Sequence, residues 1–284
     1  MRKSLITTAV LGALAAPSFV FAADAAATPD LTVAYNIGLY SQYIFRGLTQ
    51  TDRKPAIQGG VDLTHSSGLY LGAWASNISW LRDPYLTNSK SDTYYTSGGH
   101  MELDIYGGYR HTFDSIGSGL GIDIGALRYQ YPGALRSGWV EANTTEIYGA
   151  LSYGWIQAKL SSVVTDTAWG WGKSRGAGTM DARGTYYAEL NATIPIGDLI
   201  GGSALTGVTG LAHVARQEFD GKDNQYASYT DYKLGIQKSF SEGVLNGVNI
   251  GGYWTYANTK DSAWKYDGRN IGDSTGTVFV QKTF

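Results

Sequence analysis

Met101-Glu102-Leu103-Asp104-Ile105-Tyr106 alternates an apolar side chain with an acidic or phenolic one at every step. Successive side chains of a strand point to opposite faces, so such a stretch has one apolar and one polar face. The alternation recurs in Thr145-Glu146-Ile147-Tyr148-Gly149-Ala150-Leu151, in Tyr186-Tyr187-Ala188-Glu189-Leu190-Asn191 and in Thr230-Asp231-Tyr232-Lys233-Leu234-Gly235-Ile236. Nearer the start, Val33, Tyr35, Ile37, Leu39 and Tyr43 share one face, and Asn36, Gly38, Tyr40 and Gln42 the other. Read with this period, the chain resolves into twelve candidate strands, near 32–45, 56–65, 69–78, 100–111, 119–130, 144–154, 155–165, 184–194, 203–216, 227–239, 247–257 and 274–284.

The connections alternate as well. Short ones, such as His65-Ser66-Ser67-Gly68 and the break near Gly154, take turns with the longer polar stretches 46–55, 79–99, 131–143, 166–183, 217–226 and 258–273. A soluble sandwich or lipocalin-like barrel also alternates, but it buries its apolar face and needs no long loops at one end. An all-β transmembrane antiparallel β-barrel of about twelve strands, with short periplasmic turns and longer extracellular loops, accounts for the whole pattern. Closure satisfies every backbone donor and acceptor in lipid. Aromatic girdles are expected at Tyr43, Phe45, Tyr131, Tyr186, Trp254 and Tyr256 at the outer end. Tyr35, Tyr109, Phe113, Tyr153 and Phe240 are expected at the inner end.

Composition agrees. The 284 residues include 38 Gly, 21 Tyr and 8 Trp, only 16% charged residues and no Cys. Soluble domains carry about 25% charged residues. The absence of Cys excludes a disulfide framework, Cys-based zinc sites and thiol catalysis. A pI near 6.1 gives no footprint for nucleic acid, and a mean hydropathy of -0.19 argues against a polytopic helical membrane protein. The stretch Leu199 to Ala215 lacks charge, but it is too short and too rich in Gly, Ser and Thr for a spanning helix. It reads as a turn followed by a strand.

Met1-Arg2-Lys3, the apolar Leu5 to Leu14 and Val20-Phe21-Ala22 have the order of a secretory signal peptide cut after Ala22. The expected organisation is a signal peptide over 1–22, a short segment over 23–31 and the barrel over 32–284. The chain stops at Phe284 in Val278-Phe279-Val280-Gln281-Lys282-Thr283-Phe284. A terminal Phe on an alternating strand resembles the signal by which outer-membrane barrels are recognised for assembly. Val278, Val280 and Phe284 share the outward face, and Lys282 on that face is expected to snorkel.

Gly38-Leu39-Tyr40-Ser41-Gln42-Tyr43-Ile44-Phe45-Arg46-Gly47-Leu48-Thr49-Gln50, followed by Lys54-Pro55-Ala56-Ile57-Gln58-Gly59-Gly60, resembles the opening of the TorF-like porin family. Asn143-Thr144-Thr145-Glu146-Ile147-Tyr148 with Ser152-Tyr153-Gly154, and Tyr229-Thr230-Asp231-Tyr232-Lys233, resemble it too. The resemblance covers the mature chain and implies an outer-membrane barrel that acts as a channel. It brings no substrate and no binding residues.

Catalytic patterns are absent from the sequence. His65 and His111 fall at turns and His100 at a strand end. His213 falls where it can face the lumen, but no Ser or acid stands near it in sequence as a triad would suggest, although spacing alone does not exclude one. The bland reading of all four is scattered interface or loop histidines. Gly170-Trp171-Gly172-Lys173-Ser174 ends like a phosphate loop but has Thr167 where the motif needs Gly. Asp220-Gly221-Lys222-Asp223-Asn224 lacks the calcium-loop ligand pattern. No cofactor or metal is expected.

The polar face carries the functional expectation. A lipid-facing charge costs about 2–4 kcal/mol at mid-membrane, so strand charges should face the lumen. They are Asp62, Glu102, Asp104, Arg110, Asp123, Glu146, Lys159, Glu189, Asp231 and Lys233, with Arg46 at the outer rim. Residues two apart share a face, which pairs Asp104 with Tyr106, Glu146 with Tyr148, Tyr187 with Glu189, and Tyr229 with Asp231. Gly38, Gly60, Gly72, Gly108 and Gly125 should leave room on the inner wall. Twelve strands fall between a packed eight-stranded barrel and a sixteen-stranded aqueous pore. The expectation is a narrow channel for passive diffusion of small hydrophilic solutes. Asp104, Glu146, Glu189 and Asp231 form a rough belt that favours cations weakly. A plugged structural or adhesive barrel and a lipid-modifying enzyme are the alternatives. Expected partners are outer-membrane lipids and lipopolysaccharide, the barrel-assembly machinery through Phe284, and small polar solutes.

Overall fold

The computed structural model describes residues 30–84, 93–117, 119–139, 141–172, 181–221, 224–266 and 268–284. The expected leader, 1–22, lies outside the described residues. So do 23–29, parts of the loops 79–99 and 166–183, and Lys173, Ser174, Lys222 and Asp223 of the two loop motifs.

Twelve strands form one closed antiparallel barrel. They are β1 Leu31–Tyr40, β2 Ala56–His65, β3 Leu69–Asn77, β4 Met101–Phe113, β5 Leu120–Gln130, β6 Thr144–Tyr153, β7 Ile156–Val163, β8 Tyr186–Ile194, β9 Val208–Glu218, β10 Tyr229–Ser239, β11 Val248–Ala257 and β12 Thr275–Thr283. Each pairs with its sequence neighbours. β12 closes on β1, with Asn36 opposite Thr283 and Tyr40 opposite Phe279. No helix among the described residues is long and apolar enough to cross a membrane.

The two faces sort as a lipid-facing wall demands. Along β1, Leu31, Val33, Tyr35, Ile37 and Leu39 point outward and are 41–58% exposed. Ile105, Leu160, Leu190, Leu234 and Val278 are outward and exposed on other strands. The inward face buries Gln58, Asp62, Ser76, Glu146, Asn191 and Gln281. An apolar outside around a polar inside is the reverse of a soluble barrel. Tyr186, Trp254 and Tyr256 near one rim, and Tyr35, Phe113 and Tyr153 near the other, are exposed as girdle residues should be.

The two ends differ. Tight connections such as Ser66–Ser67 close one end, here the turn end. At the other, the loop end, four small two-stranded sheets among the described residues fold over the mouth: the hairpins Ile44–Phe45 with Leu48–Thr49, Thr167–Ala168 with Trp171–Gly172, and Lys265–Tyr266 with Arg269–Asn270, and a pairing of two separate loops, Tyr95–Gly98 with Gly133–Leu135. Their side chains join those of the wall and the other loops in two aromatic clusters. One centres on Tyr43, Phe45, Trp74, Trp80 and Tyr129, the other on Trp171, Phe219, Tyr229, Trp264 and Tyr266.

Three expectations are corrected here. The first strand ends at Tyr40 rather than 45, and the chain then turns inward, so Tyr43 and Phe45 are buried instead of lying in a girdle. Tyr131 is likewise buried under the loops. The ninth strand starts at Val208, because residues Ser203–Leu205 form a 3-10 turn.

Candidate functional site

The lumen is built from the inward face of the wall and from the β1–β2 connection, which enters it. Ile44–Phe45 and Leu48–Thr49 pair across a two-residue turn in which Arg46 and Gly47 both have positive φ, 47° and 78°. Positive φ at both central positions is the hairpin turn that matches strand twist. A side chain at Gly47 would also sit 2.5 Å from the Asp231 Cβ, so the tip touches β10, three strands round the ring from β1.

Arg46 therefore stands at the loop end, level with the outermost two or three residues of the strands, but buried inside the mouth rather than open at it. Its Nη1 and Nη2 donate to Glu146 Oε1 and Oε2 at 3.0 and 2.7 Å, a bidentate pair with both side chains 1% exposed. Nη1 also donates to Gln217 Oε1 at 2.9 Å, and Tyr129 donates to Glu146 Oε2 at 3.0 Å. The guanidinium lies 4.2 Å from the Tyr187 ring centroid and 5.0 Å from those of Phe45 and Trp169. A planar fork matched to a carboxylate and stacked on rings is the favourable way to bury a positive charge. Tyr43 ties the same segment to the wall by donating to Glu102 Oε1 at 2.7 Å, beside buried Asp104.

A second network joins β8, β9 and β10. Tyr187 donates to Asp231, 3.0 Å from Oδ2, and His213 Nε2 lies 3.0 Å from Asp231 Oδ1. His213 Nδ1 lies 2.6 Å from Asn191 Oδ1, and Asn191 donates to Glu189 Oε2 at 2.9 Å. His213 thus takes the lumen-facing place rather than an interface or loop position. It is buried, and its acidic partners come from neighbouring strands rather than from its own stretch of sequence. Buried Tyr229 lies beside them on β10, and Lys233 reaches over the Tyr253 ring at 4.3 Å.

Toward the turn end the lining opens. Tyr106 donates to Asp62 Oδ1 at 2.6 Å, Tyr70 donates to Asp123 Oδ1 at 2.6 Å, and Tyr70 and Tyr148 share a hydrogen bond. Arg110 meets Asp123 at 3.4 Å, and these two side chains keep 18% and 27% of their surface. Lys159 sits 4.4 Å from the Tyr148 ring centroid. The phenol–carboxylate pairs are not those of i and i+2. Tyr106 bonds Asp62 on β2, not Asp104, and Tyr187 bonds Asp231 on β10, not Glu189. Side chains two apart along a strand stand side by side, so a long phenol reaches an acid on another strand instead.

The glycines leave no empty room. A Cβ on Gly72 would meet the Tyr106 ring at 2.4 Å, and one on Gly125 the Tyr148 hydroxyl at 2.6 Å. Each phenol lies over its glycine. Sequence reasoning missed Tyr43, Tyr70, Gln217 and the partners of His213. The visible signal for the first was Arg46-Gly47, a turn pair placed only a few residues after a strand.

At the mouth, Phe45, Trp80, Trp169, Trp171, Gln217 and Trp264 line part of a cavity of about 40 Å³, space for two or three waters. Among the described residues no cluster of metal-ligating side chains forms.

Comparison with known proteins adds a family. The model described as "Bacterial protein of unknown function (Gcw_chp)" matches residues 23–284. No curated protein matches the chain. Among solved structures, the chain is similar to a KdgM porin at 8% identity and a TM-score of 0.45, over 89% of this chain and 98% of that one. It is also similar to OccAB1 of Acinetobacter baumannii, at 12% identity and 0.46, over 92% and 66%. A third is the outer membrane protein opdK of Pseudomonas aeruginosa, at 12% and 0.39, over 90% and 67%. Likeness this distant carries nothing about activity.

Proposed function

The chain belongs to the Gcw_chp family of bacterial proteins of unknown function, and from the chemistry of its barrel we propose that it is an outer-membrane channel for small hydrophilic solutes. Passage is by passive diffusion through a narrow polar and aromatic lumen. The carrying observation is the turn-end half, where Arg110, Asp123, Lys159 and Tyr148 keep exposed surface inside a wall whose outer face is apolar. Charge held open to water on the inner face of a membrane barrel suits polar traffic. The resemblance to the TorF-like porins supports the same reading.

The preference among ions is weakly for cations. Seven inward acids (Asp62, Glu102, Asp104, Asp123, Glu146, Glu189 and Asp231) face Arg46, Arg110, Lys159 and Lys233. Arg46 seated on Glu146 withdraws one member from the belt of Asp104, Glu146, Glu189 and Asp231. Carboxylates in a pore favour cations, and salt screens them. The test is the reversal potential across a tenfold KCl gradient in a planar bilayer, for the wild type and for Glu189→Gln/Asp231→Asn. A modest cation preference that shrinks in the variant supports the proposal, and an anion preference overturns it.

The plugged loop end favours a second reading, a sealed structural or adhesive barrel, for which the same bilayer stays silent. Lipid hydrolysis in that bilayer marks the third reading, a lipid-modifying enzyme. Outer-membrane lipids and lipopolysaccharide are the surroundings this outer face suits. Phe284, 69% exposed on the lipid side beside Val278 and Val280, is proposed as the contact with the assembly machinery. Its deletion then lowers outer-membrane levels, and normal levels remove that role.

A further inference from the structure

We infer that the hairpin around Arg46 is a gate and that the Arg46–Glu146 ion pair is its latch, an inference that rests on the channel reading. The hairpin leaves the wall between β1 and β2, yet its tip meets Glu146 on β6, Tyr187 on β8, Gln217 on β9 and Asp231 on β10. In a ring of twelve strands these lie from a quarter of the way round, at β10, to the opposite wall, at β8. The segment therefore reaches across the lumen at its loop end.

The hairpin is packed into the loop cap: Tyr43, Ile44, Phe45, Leu48 and Thr49 are buried, with Tyr43 and Phe45 in one aromatic cluster and Leu48 in the other. Its backbone also bonds the cap, Thr49 donating to the Ile271 carbonyl at 2.9 Å and Ser79 to that of Gln50 at 2.8 Å, so opening moves hairpin and cap together. Its polar ties to inward wall side chains are these. Tyr43 donates to Glu102, and Arg46 forks onto Glu146 and reaches Gln217. Gln42, at the root, donates to Thr275 and to the Gly276 carbonyl.

Backbone strain collects in the same place. Among the described residues, four that are not glycine have positive φ: Arg46, Asp52, Arg53 and Trp169. Three lie in this connection, and the fourth stacks on the Arg46 guanidinium. Residues held in the left-handed region persist where surrounding contacts over-determine them, and they gather at switch segments. Here the contacts that over-determine them include one ion pair. Removing either partner leaves a charge buried without its counter-ion, which penalises the closed state, whereas replacing both with apolar groups does not.

The test is single-channel recording of the purified full chain in a planar bilayer. Arg46→Met and Glu146→Met should each raise the open probability by at least about tenfold, from the loss of a buried counter-ion. The double variant Arg46→Met/Glu146→Met should fall back toward the wild type, because neither charge is left unpaired. Singles that gate like the wild type, or a double as open as the singles, overturn the latch.

A side chain at the tip tests the movement itself. At Gly47, where φ is 78°, a Cβ would sit 2.5 Å from that of Asp231 and 3.1 Å from that of Ala257, so Gly47→Val cannot seat the closed hairpin without shifting it. It should raise the open probability as the single ion-pair variants do. Gating like the wild type overturns the gate and leaves the channel standing. Silence of every protein, single variants included, overturns the channel reading, and the gate with it.

Discussion

The two halves of the lumen are made from the same kinds of residue and differ in how they treat water. At the loop end, Arg46, Glu146, Tyr129, Tyr187 and Gln217 are all buried, and indole and phenol rings surround the ion pair. At the turn end, Arg110 and Asp123 also pair beside a phenol, Tyr70, yet they remain partly exposed and meet at 3.4 Å. Burial decides what each pair does. An ion pair cut off from water must be complete, because an unmatched charge there costs several kcal/mol. One that still touches water is worth about 1 kcal/mol or less. The first arrangement can hold a segment in place, and the second suits a surface along which solutes exchange.

The largest expected effect breaks the loop-end half. Glu146→Ala leaves the Arg46 guanidinium buried and unpaired, at a cost to the closed hairpin of about 3–5 kcal/mol. Trypsin added to the folded barrel should then cut after Arg46, a site 1% exposed and protected in the wild type. Protection that survives the change would mean that ring packing alone holds the segment.

Next comes the wall between the halves. Gly72→Val drives a side chain into the Tyr106 ring, which the Cβ alone approaches to 2.4 Å. Such overpacking costs about 1–3 kcal/mol. Urea unfolding in detergent should show it as a lower midpoint. Gly276→Ala, where a Cβ meets nothing within 4 Å, should leave the midpoint unchanged.

The matching change at the turn end is smaller. Arg110→Ala removes a partly exposed partner, and its cost should stay below about 1 kcal/mol by the same unfolding measurement. A cost equal to that of Glu146→Ala would erase the contrast between the halves.

The smallest effect lies outside the barrel. Asn270 donates to Asp261 Oδ1 at 2.9 Å and holds that carboxyl below its ordinary value, with Lys265 3.6 Å away. A carboxyl whose folded value is lowered contributes above the unfolded value and loses that contribution as pH falls through the folded one. NMR titration should show Asp261 ionising below an ordinary Asp, and Asn270→Ala should move it back up.

How much of this the chain disclosed in advance follows from the range of the forces. Side-chain alternation is local, so strands such as 100–111 and 144–154 could be placed within a few residues, and the cost of charge in lipid assigned Glu146 and Asp231 to the inside. The burial of Arg46 was not legible because it lies in a loop, where no lipid penalty applies and no period of two runs. Its partner stands one hundred residues away, on a wall that exists only once the barrel has closed. The partners of His213 were hidden for the same reason, since Asp231 and Asn191 reach it through pairing between strands.

What the sequence determined alone is the barrel: twelve alternating segments, an apolar outside, a polar inside, and long connections at one end. These follow from pleat and solvation, which act on each residue by its neighbours in the chain. What only the tertiary structure decided is the state of the interior. The connection after β1 crosses the lumen instead of lying over the rim, the Tyr rings cover the glycines that were expected to leave space, and one carboxylate of the acidic belt is matched to an arginine. Those outcomes depend on which side chains face one another across a closed ring, and that opposition is set by strand order, register and closure together.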